Sequence, residues 1–229
     1  MLGLGNGLTG GAALGWTPAE LSSLLHWYRF NIGQTTGGDT GNEVTEWADQ
    51  KGSNDLTASG ATEASPTGTA GGVVFDSAGD IMTWDTDLAL GTFSIYFRAK
   101  FDAFGSENMI EKGTSDFLKL QTSSTVRLKA ANGGTEGGRH DFTLPATISA
   151  DTKFNMGWER ASNDNMNIYL NGVGSEVTNG DGSQAIAEVL ALDRLGKPTH
   201  TSTWYEVVIC NDALSSADRA LLQTYLDSI

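Results

Sequence analysis

The chain has 229 residues, 29 of them glycine and only one of them cysteine, and 28 acidic against 14 basic residues give a formal charge of −14. That charge argues against nucleic acid and anionic lipid as partners, because phosphate groups would be repelled. The lone Cys210 excludes an intrachain disulfide. No apolar run approaches the ~18 residues of a spanning helix, and a chain of this length can bury about 70% of its unfolded surface in a core.

Residues 1 to 15 are glycine-interrupted, uncharged and dotted with leucine, so they neither hold a helix nor pack a core alone. They lack the positive start and continuous apolar stretch of a secretory signal, and export by that route is not expected. Two readings stay open: a frayed terminus, or an assembly arm in which Leu2, Leu4, Leu8, Leu14 and Trp16 order against a neighbouring subunit. Thr17-Pro18-Ala19-Glu20 then has capping-box spacing with proline at the first helical position, and Leu21, Leu24 and Leu25 share one face, which predicts a short helix.

From Trp27 to Leu56 the apolar residues are separated by turn-forming Gly, Asp and Asn, consistent with short strands and long loops. Residues 57 to 72 are small and polar and read as a loop. What precedes them is too short to close its own core, so one domain over residues 16–229 is expected. Strand candidates follow at 73–75, 81–84, 92–99, 108–111, 117–121, 125–129, 142–144, 187–192 and 204–210. Phe154 to Arg160 and Asn167 to Gly172 flank the polar break 162–165 and predict a hairpin. Ser215 and Asp218 again have capping-box spacing, and Leu221, Leu222, Tyr225 and Leu226 predict a closing helix. Dense short strands with turn signals indicate an all-β sandwich.

Chemistry is sparse. His26, His140 and His200 match no zinc spacing, and no Gly-x-Ser-x-Gly elbow occurs. Calcium is the one cofactor with candidates, either Asp39, Asp49 and Asp55 with Asn54, or Asn163, Asp164 and Asn165, although neither cluster has loop-motif spacing and turn formation accounts for both. Asp85 and Asp87, beside Trp84 at an expected strand exit, are candidates for glycan contact, with Trp84 as the stacking ring.

Several segments together resemble the concanavalin A-like and laminin-G-like jelly-roll superfamily: Val74-Phe75-Asp76 to Met82, Phe93 to Phe97, Ile110 to Gly113, Trp158 with Ile168 to Gly172, and Tyr205 to Leu222. The likeness covers residues 20 to 229. It implies a two-sheet antiparallel jelly-roll sandwich with short N- and C-terminal helices. Members of that superfamily that hydrolyse glycans carry Glu-x-Asp on one strand, a pattern absent here, so no catalytic residue is assigned. The glycine-rich start, with Trp16 to Leu21 and Val44 to Asp49, also resembles small virion proteins of tailed bacteriophages, especially those infecting cyanobacteria. That resemblance implies a virion structural protein, made in the host cytoplasm and displayed as a capsid decoration or a tail component. Its partners would be other virion proteins, with Trp27 and Trp47 as further attachment candidates and a homo-oligomer, a trimer by virion symmetry, as the expected state. The alternative is a lectin-like module for host surface glycans, with calcium as an optional aid.

Overall fold

The computed structural model describes residues 15–37, 41–58, 65–69, 72–76, 79–113, 115–130, 138–162, 165–178, 189–196 and 200–229. In chain order the strands are β1 (Leu24–Tyr28), β2 (Gln34–Gly37), β3 (Glu43–Trp47), β4 (Leu56–Ala58), β5 (Thr67–Thr69), β6 (Gly72–Phe75), β7 (Ile81–Leu90), β8 (Phe93–Phe101) and β9 (Glu107–Lys112). They continue as β10 (Asp116–Thr122), β11 (Thr125–Ala130), β12 (Gly138–Thr143), β13 (Phe154–Ser162), β14 (Asn165–Leu170), β15 (Val173–Thr178), β16 (Leu190–Gly196) and β17 (Ser202–Cys210), and the chain closes with helix α1 (Ser216–Asp227).

All pairings are antiparallel, and they define two layers. One sheet runs β15-β14-β13-β8-β17, with β1 and β6 sharing the far side of β17. The other runs β12-β11-β10-β9-β16-β7-β4-β3-β2. Short β5 pairs with both β3 and β6 and so stitches the two layers along one edge. The fold is an all-β antiparallel sandwich, as the strand pattern predicts.

Period-two alternation builds the interior. Phe93, Ile95, Phe97, Ala99 and Phe101 of β8, with Met156 and Trp158 of β13, face Leu118, Leu120, Val126, Leu128 and Phe142 of the second layer in one continuous core. Across it the Phe142 ring meets Trp158 edge-on at 6.1 Å between centroids. The opposite faces of β8, β13 and β17 carry Tyr96, Glu159, Val208 and Cys210, and α1 lies over these, burying Leu222 and Leu226 against them. Each leucine contributes about 1.5–3 kcal/mol by leaving water. Ser215 caps α1 by accepting from the Asp218 N–H at 3.1 Å, the role its spacing predicts. One outer face therefore has a lid; the second sheet has no helix over it among the described residues.

The structure departs from the sequence expectations at four places. The N-terminal helix shrinks to a single 3-10 turn, Pro18–Glu20, because Leu24 to Tyr28 pair as a strand with β17. Strand pairing outweighs helical periodicity there, yet Leu21 and Leu24 still pack beneath α1. The 57–72 stretch contains the end of β4, β5 and the first residue of β6 rather than a plain loop. Of the expected 187–192 strand, residues 187 and 188 lie outside the described residues and β16 runs on to Gly196, and β2 and β15 carry too few apolar residues to signal themselves. The hairpin of β13 and β14 forms as predicted.

Candidate functional site

The open sheet departs from regular pairing near its middle. Leu192 pairs with Leu88 and Arg194 with Thr83, so four residues of β7, Trp84 to Asp87, oppose the single Asp193 of β16. Such an irregularity re-aims side chains that a regular ladder would fix. Asn54 clasps the bulge, donating to the Thr86 carbonyl at 2.9 Å while accepting from its N–H at 2.7 Å, and Asp85 N–H bonds the Asp55 carbonyl at 3.1 Å. Asp85 and Asp87 are thereby held exposed within β7, not at a strand exit.

Around the bulge the side chains form a charge-paired cluster that is exposed at Asp87 and Lys112 and grows more buried through Arg194 and Asp193 to Glu111. Lys112 Nζ donates to Asp87 at 2.5 Å, and Arg194 forks onto Asp193 at 2.6 and 2.9 Å. Lys112 is held above the ordinary ammonium range first by its hydrogen bond to Asp87 and then by that carboxylate's charge. Arg194 pairs across to the buried Glu111, which accepts from the Asn108 amide. That donation fixes the amide's orientation and leaves Asn108 Oδ1 as a buried acceptor with no protein donor.

The other predicted site residues fall elsewhere. Trp84 is core, 3% exposed, its indole N–H donating to the Tyr28 hydroxyl at 2.7 Å; no ring face is available for stacking, and its glycan-binding assignment is corrected. Trp27 and Trp47 are likewise buried, which removes them as attachment points. Trp16 packs edge-on to Tyr225 of α1 at 6.2 Å, so it serves its own chain's helix rather than an arm. Leu2, Leu4, Leu8 and Leu14 lie outside the described residues, as do Asp39, Asn163 and Asp164.

Asp49 and Asp55 build a corner. Asp49 accepts from the N–H groups of Trp27 (3.0 Å) and Lys51 (2.9 Å) and contacts His26 Nδ1 at 2.8 Å, while Asp55 accepts from Asp49 N–H at 2.7 Å. Burial alone would raise the Asp49 carboxyl, but these hydrogen bonds together hold it below the usual carboxylate range. Its oxygens are committed to the protein, which corrects its role as a calcium ligand. No group of three or more His, Cys, Asp or Glu side chains is arranged to hold a metal among the described residues.

Two further networks lie beneath α1. Glu159 accepts from Tyr96 at 2.8 Å and from both arms of Arg219 at 3.2 and 2.9 Å. Fully buried Glu206 accepts from Trp27 Nε1 at 2.5 Å, Tyr225 at 2.6 Å and the Phe30 N–H at 2.8 Å. Burial raises the Glu206 carboxyl above its ordinary range despite these donors. Both acids fasten the helix to the sheet, away from the open face.

No family model matches the sequence, and a search of curated proteins finds no match. Solved structures do share the fold. Trypanosoma rangeli sialidase aligns with a TM-score of 0.60 at 14% identity, over 90% of this chain and 33% of that one. The binding domain of botulinum neurotoxin DC, solved in complex with rat synaptotagmin II, aligns with a TM-score of 0.60 at 15% identity, over 89% of this chain and 52% of that one. The binding domain of Paraclostridial mosquitocidal protein 1 aligns with a TM-score of 0.57 at 11% identity, over 83% and 51%. The chain thus spans about a third to a half of these proteins, and at such identities the likeness establishes architecture alone.

Proposed function

We propose that the chain is a non-enzymatic carbohydrate-recognition module that uses the solvent face of its open sheet. The observation that carries this reading is the clasped bulge of β7, which holds Asp85 and Asp87 exposed, with Asp87 bonded to Lys112 and the opposing Asp193 forked by Arg194, on the sheet over which no helix lies among the described residues. The neighbours support it in kind: one sialidase structure is solved with sialic acid, and the toxin neighbours are binding domains. A hydrolytic role finds less support. Asp87 faces a lysine rather than a second carboxylate, and the deeply buried Glu159 and Glu206 are bound beneath the helix. On a glycan array the protein is expected to retain a restricted set of saccharides, with the exposed Lys112→Ala weakening retention at least tenfold and leaving the thermal midpoint nearly unchanged. Silence across diverse neutral and acidic saccharides would sink the reading.

The leucine-dotted start favours a second component of the proposal, carriage of this module on a virion through residues 1 to 15, in a homo-oligomer for which a trimer fits virion symmetry. Mass spectrometry of purified particles is expected to find the chain, and deletion of residues 1 to 15 is expected to release it. Attachment unchanged by the deletion would refute the arm.

A further inference from the structure

Strand β12 ends its sheet: it pairs with β11 and, among the described residues, with no strand beyond. The Leu144 N–H bonds the Ser124 carbonyl at 2.9 Å, and opposite residues of an antiparallel pair alternate between bonded and unbonded. His140 and Phe142 therefore turn their backbone groups to β11, while Arg139 and Asp141 turn theirs outward along the open edge. An edge of this kind is a template for a further strand.

Charge decides which strand fits. Arg139 and Asp141 are exposed and alternate with the buried His140 and Phe142. In its own chain Arg139 lies opposite Lys129, a like charge, while Asp141, two residues on, is forked by Arg127 at 2.5 and 2.7 Å. When a second β12 is laid antiparallel about a two-fold axis at His140, Arg139 of each copy falls directly opposite Asp141 of the other. The same placement brings the outward N–H and C=O groups of both residues into register for bonding. An axis at Arg139 would set arginine against arginine, and one at Asp141 aspartate against aspartate. A slip of one residue would turn the buried row to solvent. The terminal strands β2 and β15 offer no such match, since β2 has no charged residue and β15 has only Glu176.

We infer that two copies of this chain join edge to edge through β12, about a two-fold axis at His140, into one continuous sheet. Such a contact closes on itself at two copies, so it is separate from the N-terminal arm and from any three-fold arrangement the arm supports. A seam of one short strand per copy is at the small end of specific interfaces, and micromolar association is expected. Because β7 lies five strands in from β12, the joined sheet carries two bulges roughly 50 Å apart at ~4.8 Å per strand. Bivalent capture of a saccharide surface follows from that spacing, and this consequence alone rests on the carbohydrate reading.

The test is sedimentation velocity of the full chain across the micromolar range, with Arg139→Glu, Asp141→Lys and an equimolar mixture of the two. The parent is expected to associate as concentration rises, and each variant alone to associate at least tenfold more weakly with a melting midpoint close to the parent's. The mixture is expected to recover the parent's association, because one variant presents two carboxylates to the two cations of the other. Hydrogen exchange at the Arg139 and Asp141 amides is expected to slow at least tenfold as the parent associates. A parent that stays monomeric across that range overturns the inference, as does association that survives both single reversals. Failure of the mixture to recover, or exchange at these amides that does not change with the parent's concentration, overturns the axis at His140. None of these outcomes bears on saccharide binding by a single copy, which the glycan array reads separately.

Discussion

Glu206 and Asp49 show how environment decides what a carboxylate does. Three donors converge on Glu206 from β1, from the turn after it and from α1. Glu206→Gln removes a buried charge, yet its new NH2 must face one of those donors, and an N–H loses its partner. A loss of roughly 1–3 kcal/mol is expected in chemical denaturation. The two acids also give opposite pH dependence. Asp49 is depressed, so its contribution is present above the ordinary carboxylate range and is lost as pH falls through its folded value. Glu206 is raised, so its contribution is greatest in acid and declines as pH rises through its folded value. Melting temperatures followed downward from neutral pH are expected to fall less steeply on the acid side in Asp49→Asn than in the parent, while the parent's own acid loss is softened by Glu206.

Among the elements, α1 shows how a capping signal and a strand pattern cooperate. Ser215 and Asp218 were readable as a helix start, and Leu222 and Leu226 as its buried stripe. Ser215→Ala removes the acceptor for Asp218 N–H and is expected to cost about 1 kcal/mol in thermal unfolding. The sheet under the helix makes room for it through a small residue: a Cβ at Gly157 would run into the Tyr96 ring, which stacks on Tyr169 at 6.2 Å while Arg219 covers Tyr169 at 4.3 Å. None of this was visible in spacing. Gly157 sits in an alternating run that looks ordinary, and its importance depends on which strand pairs beside it, here Gly157 against Tyr96.

For the molecule as a whole, alternation made the sandwich legible, because a strand with one wet face must repeat every two residues whatever its partners are. Leu118, Leu120, Val126 and Leu128 of β10 and β11 declare themselves core in this way. The candidate site was legible only in fragments. Asp85 and Asp87 stand out as neighbouring acids, but Lys112, Asp193 and Arg194 come from β9 and β16 and gather around Asp87 only through a register that sequence does not state. Trp84 misled for the same reason: a tryptophan beside acids looks exposed until β4 and β1 close over it.

Strand β17 lies between β8 on one side and β1 and β6 on the other, with Leu24 paired to Cys210 and Phe101 to Ser202. A ribosome delivers that strand after every one it joins. Until then β1 and β8 cannot complete their ladders, and the apolar rows that will meet Trp204, Val207 and Ile209 have no cover. Contacts so distant in sequence belong to chains that fold in milliseconds to seconds rather than microseconds. The nascent chain therefore spends most of its synthesis with unpaired edges and exposed apolar surface, and the excess of acidic over basic residues adds repulsion between neighbouring copies.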